Sequence, residues 1–105
     1  MKHDARRGEV WMMDLGIAAK VRPCLLLTDF PAAEELALIT ILPHTTALRG
    51  SRWEINLPLK YLQPGAFHLQ QIQSVPVTTL MRRLGVLSDA DYNLILDKLA
   101  ERLSI

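Results

Sequence analysis

The chain has 105 residues, half of them hydrophobic, with 12 Lys/Arg set against 11 Asp/Glu. This composition excludes a disordered tail and a polybasic nucleic-acid coat, and the length predicts one domain over residues 1–105 with one modest core. Cys24, the single cysteine, cannot form an internal disulfide, which with the lack of a secretory leader points to a reducing cytoplasm.

In chain order, residues 9–15 predict a first strand ended by Asp14-Leu15-Gly16, and residues 16–20 a short connection. A second strand is predicted over 21–28, with Arg22-Pro23 at its entrance, where a missing N–H costs least. Phe30-Pro31-Ala32-Ala33 predicts a turn. The nearly continuous apolar run 36–42 predicts a strand covered on both faces and stopped by Pro43. A loop around Gly50 leads to a fourth strand over 53–57. Pro58 and the turn Gln63-Pro64-Gly65 precede a fifth over 67–75, where Phe67, Leu69 and Gln71 would share one face and His68, Gln70 and Ile72 the other. Ser88 reads as a helix N-cap, with Asp91 at the capping-box position. Tyr92, Ile95, Leu96, Leu99 and Leu103 then recur at helical spacing. Five short strands and one closing helix predict a mainly β fold, a small antiparallel barrel with a C-terminal helix.

Little in the composition announces chemistry. His3, His44 and His68 have no ligand-type spacing and one cysteine cannot build a thiolate site, so neither a metal nor another cofactor is predicted. The five glycines are scattered and form no phosphate loop. No apolar run approaches the roughly 20 residues of a membrane span. Residues 1–83 carry ten Lys/Arg against seven Asp/Glu, and residues 84–105 two against four, so the predicted barrel is mildly basic. Phosphates could meet that part, though bulk attraction is not the main device.

Order along the chain carries more. Arg7-Gly8-Glu9-Val10-Trp11, Asp14-Leu15-Gly16 and Arg22-Pro23 resemble the opening of MazF/PemK-type toxins of type II toxin–antitoxin systems. Leu42-Pro43-His44-Thr45-Thr46 resembles the family's strand ending in a proline and a Thr-Thr or Thr-Ser pair. Gln70-Gln71 matches in part its Asp-Gln pair, and Met81-Arg82-Arg83-Leu84-Gly85-Val86-Leu87-Ser88 resembles its ending. Each motif alone is weak; the ordered set carries the resemblance. It implies an SH3-like barrel of the CcdB/MazF kind, a homodimer with a groove for single-stranded RNA, and a cognate antitoxin that covers the groove. The implied activity is sequence-specific, metal-independent endoribonuclease cleavage. A 2′-hydroxyl attacks the adjacent phosphate, leaving a 2′,3′-cyclic phosphate and a 5′-hydroxyl.

The resemblance assigns Arg22 to the catalytic arginine, which could fork onto phosphate oxygens and stabilise transition-state charge. Outside the family register it reads as a surface arginine in a weak ion pair. Thr45 and Thr46 match the active-site pair, Thr45 as a hydroxyl donor and Thr46 as an RNA contact, although threonine pairs also bond their own turns. Where some relatives carry an arginine and, two residues on, an aspartate, this chain has His68 and Gln70. Gln70 cannot accept a proton and is left as an RNA contact, whereas His68 titrates in the useful range and is the candidate base. Lys20, Arg49 and Arg52 lie in predicted loops that could line a phosphate path. Trp53 could stack on a base but reads as core, as do Trp11 and Cys24. A second reading, a non-catalytic module that binds gyrase in the CcdB manner or RNA without cutting it, stays open on Gln70.

Overall fold

The computed structural model describes residues 1–17 and 20–105, so Ala18 and Ala19, the middle of the predicted connection, lie outside the described residues. Seven strands precede one helix: β1 (Glu9–Asp14), β2 (Val21–Leu26), β3 (Leu38–Thr45), β4 (Glu54–Ile55), β5 (Ala66–His68), β6 (Gln73–Pro76), β7 (Leu80–Val86) and α1 (Asp89–Leu103). In space the order is β4-β5-β3-β2-β1-β7, with β6 also on β3. Every pairing is antiparallel. The mainly β fold with a C-terminal helix is as the sequence predicts, but the sheet is not closed: β4 and β7 end the path.

Three predicted elements change. Pro43 does not stop the third strand but lies inside β3, opposite Cys24. Thr40 gives its carbonyl to the Leu27 N–H, so it points toward the β2 side. By alternation, position 43 points to the other edge. There β6 pairs up to Ile41 and β5 begins at His44, so the missing N–H falls where no ladder bond is needed. The predicted fifth strand splits into β5 and β6 around a 3₁₀ turn, Leu69–Gln71. The Leu69 N–H bonds the Trp53 carbonyl at 2.9 Å, and its side chain is fully buried. That anchor turns the chain and ends the alternation assumed for Gln70 and Ile72. Finally β7, seen in the sequence only as a motif, is a strand along β1.

The pleat sorts the core into two clusters. Trp11, Met13, Cys24, Leu26, Ile39, Ile41 and Leu80 pack together in one. Val10, Leu25, Leu42, Phe67 and Leu69 form the other, which α1 covers with Ile95 and Leu99. Full burial of each such side chain stabilises by about 1.5–3 kcal/mol. Burial pushes the Cys24 thiol up to about 12, against a lowering by Arg22. Trp53 is half-buried against the second cluster, with the guanidinium of Arg52 4.2 Å and that of Arg102 5.3 Å from its ring.

The buried stripe of α1 is narrower than predicted. Ile95 and Leu99 are buried, but Leu96 and Leu103 are exposed. At 100° per residue they sit about 100° and 80° round from Ile95, on the flank of the packed face. The helix ends with Ser104 in the left-handed region, and the Ile105 N–H returns to the Ala100 carbonyl. At its start the Ser88 hydroxyl accepts the Asp91 N–H at 3.1 Å. Ser88→Ala should lower the unfolding free energy by about 1 kcal/mol. A urea titration checks this, and an unchanged midpoint would show that the cap contributes nothing.

Candidate functional site: a cationic cleft at the strand ends

Where β2 starts and β3 finishes, the sheet opens into a cleft of about 670 Å³. The register of β2 on β3 pairs Cys24 with Pro43. Continued by two residues, it sets Arg22 opposite Thr45. Both line the cleft, together with Lys20 and Thr46. Its other walls come from Tyr61, Leu62 and Gln63 before β5, and from Arg82, Arg83 and Leu84 on β7. Four of the chain's twelve Lys/Arg thus converge on one cleft, and no Asp or Glu is among the described residues that line it. Such a field attracts a polyanion, although Arg83 is shared with the Glu9 carboxylate at 3.0 Å.

The hydroxyl of Thr45 accepts the Ala47 N–H at 3.0 Å, so the turn-bonding role anticipated for a threonine pair is real. That bond uses a lone pair and leaves the hydroxyl proton free to donate. His44, assigned no role from sequence, also lines the cleft. It is buried, with its ring edge-on to Phe67 at 5.1 Å, and burial pushes its pKa down. The ring is therefore neutral near pH 7 and able to accept a proton.

The structure separates three of the predicted site residues from this cleft. His68 is not among the cleft-lining residues; it pairs with Glu54 across β5 and β4, with Nε2 3.9 Å from Oε2. Gln70 is exposed on the 3₁₀ turn, away from the cleft lining. Arg49 lies in the loop that Glu54 organises, where its own N–H donates to that carboxylate at 2.9 Å. The N–H groups of Gly50 and Ser51 do the same. The Arg49 N–H foremost, then those of Gly50 and Ser51 and the nearby His68, hold the Glu54 pKa below its ordinary value, against an opposing effect of burial.

A second carboxylate is sequestered on the other side. Glu9 is buried and accepts the Trp11 indole N–H at 3.0 Å, the Arg6 N–H at 2.9 Å and Arg83 Nη1 at 3.0 Å. Burial pushes its carboxyl up, but these partners together outweigh it and leave the pKa lowered. Neither glutamate nor Arg82 nor His44 was singled out from sequence. For Glu9, the i, i+2 spacing to Trp11 on one strand face was the available signal.

Cations and hydroxyls gathered at the strand ends are the chemistry that suits a phosphate. Residues 6–103 match the PemK-like, MazF-like toxins of type II toxin–antitoxin systems, and the chain belongs to that family. The probable endoribonuclease MazF5 of Mycobacterium tuberculosis is 33% identical over 91 residues, which cover 79% of this chain and 78% of that protein. Solved structures share the fold, among them two from mycobacteria. A mycobacterial endoribonuclease in complex with its cognate antitoxin superposes with a TM-score of 0.78 at 23% identity, covering 95% of each chain. The Mycobacterium tuberculosis toxin MazF-mt6 does so with a TM-score of 0.72 at 24% identity, covering 92% of this chain and 97% of its own.

Gly65 fixes the cleft wall from behind. A methyl there would collide with the Thr45 carbonyl oxygen and come within 2.7 Å of His44 Cε1. Gly65→Ala should destabilise by about 1–3 kcal/mol. Thermal unfolding measures this; wild-type stability would mean that the wall yields more freely than its packing implies.

Proposed function

We propose that the protein is the toxin of a toxin–antitoxin pair, an endoribonuclease that cuts single-stranded RNA in the cytoplasm. The observation that carries this reading is the cleft with Arg22, Thr45 and Thr46 at the strand ends and no lining carboxylate among the described residues. Family membership and the name of the M. tuberculosis relative support it. In the reaction, a ribose 2′-hydroxyl forms a bond to the adjacent phosphorus and the bond to the 5′-oxygen breaks. Arg22 and the Thr45 hydroxyl stabilise charge on the phosphoryl oxygens. The 2′-hydroxyl proton passes to His44, the histidine that lines the cleft, and the leaving 5′-oxygen takes a proton from the imidazolium. The products are a 2′,3′-cyclic phosphate and a 5′-hydroxyl.

The partner is an antitoxin whose segment occupies the cleft, a reading supported by the antitoxin-bound structure of the same fold. The active form is a homodimer, a reading supported by the apolar side chains left exposed outside the cleft, among them Leu38, Met81 and Leu96. Light scattering at micromolar concentration should give twice the chain mass, and a monomer would contradict the dimer.

Cleavage of a long RNA should survive EDTA. Arg22→Ala should slow it by at least ~100-fold, with the circular dichroism spectrum unchanged. His44→Gln should slow it by ~100-fold or more and remove the fall in rate as pH drops through the lowered histidine pKa. RNA left intact by the wild type, or cut only with a divalent ion, contradicts this mechanism. If RNA is bound but never cut, the protein is the non-catalytic module instead.

A further inference from the structure

The pairing registers place one row of side chains across four strands. Met12 of β1 pairs with Arg82 of β7 on one side and with Pro23 of β2 on the other. Continuing the β2–β3 register by one residue beyond Cys24 and Pro43 brings His44 opposite Pro23. Directly opposed residues share a sheet face, and all four line the cleft. Arg82 therefore stands three strand spacings from His44, roughly 14 Å at about 4.8 Å each. Between them lie only the apolar Met12 and Pro23.

Arg82 is exposed. Its neighbour Arg83 turns to the opposite face, where Glu9 holds it at 3.0 Å. Arg82, opposite Met12, lines the cleft and also borders a neighbouring depression that holds Asp4 and Glu9. A guanidinium in that position suits a phosphate, and the apolar stretch beside it suits the face of a base.

We propose that Arg82 holds a backbone phosphate of the bound RNA away from the cleaved one, so that the strand crosses β3, β2 and β1 to reach β7. The inference rests on the ribonuclease reading and adds a binding residue and a path to it. Arg82 takes no part in the chemical step.

The test uses a mixed-sequence single-stranded 2′-O-methyl RNA, which cannot be cut, and measures binding by anisotropy over a salt series. On a single strand, each phosphate that a protein cation ceases to neutralise reduces the slope of log affinity against log salt by about 0.7. Arg82→Ala should reduce it by that amount and weaken binding about ten-fold at low salt. Lys98→Ala, a helix cation outside the cleft, should leave the slope as it is. On cleavable RNA, Arg82→Ala should raise KM and leave kcat unchanged, and the difference should vanish with a substrate too short to reach β7. An unchanged slope in Arg82→Ala, an equal loss in Lys98→Ala, or a fall in kcat alone would overturn the proposal. If the wild type binds no RNA, the ribonuclease reading fails and this inference fails with it, an outcome distinct from normal cleavage with an inert Arg82.

Discussion

The architecture depends on β3 serving three neighbours at once. One edge pairs with β2, while the other is divided between β6 and β5. A backbone amide at the division would have no ladder partner, and a buried, unpaired N–H costs about 1–3 kcal/mol. Pro43 has no such hydrogen to satisfy. With that position settled, β3 continues two residues further, delivers His44 and Thr45 to the start of β2, and completes the cleft. Leu42 and Phe67 meanwhile stay within one core cluster.

The second organising principle is the fate of negative charge. Net charge is only +1, so a cationic cleft requires that carboxylates be held elsewhere. Glu9 is bound by an indole, a backbone amide and Arg83, and Glu54 by three consecutive amides of its own loop. Both stay ionised more readily than free glutamates. Each also has a structural duty: Glu9 ties β1 to β7, and Glu54 shapes the loop that follows Thr46. With both acids held in this way, no carboxylate among the described residues lines the strand-end cleft.

Much of the fold was legible because the apolar runs and turn residues were strong local signals. β1, β2 and α1 fell where periodicity and the Ser88 cap put them. The misread parts were decided by distant partners. The Leu69 N–H bonds Trp53, sixteen positions away, and this breaks a segment whose alternation looked continuous. Pro43 reads as a stop until the switch of neighbours on its far edge is known. The site divides in the same way. Arg22, Thr45 and Thr46 were found through motif order and meet in the cleft; Lys20 joins them. His68 and Gln70 came from a resemblance read onto one continuous strand, and Arg49 from a predicted loop. The β4 pairing and the 3₁₀ turn set the first two outside the cleft lining, and Arg49 is not among the lining residues either. His44 and Arg82 could not be seen in advance, because their shared face is a property of three pairing registers together.

The strand that carries Arg22 also carries Cys24, two residues on. With its thiol pushed up to about 12 by burial, it stays protonated near neutrality. Alkylating agents and peroxides react with the thiolate, and here it is both scarce and enclosed by the core. The sulfur of β2 therefore serves the core as a packing atom and is shielded from thiol reagents while the strand stays in place.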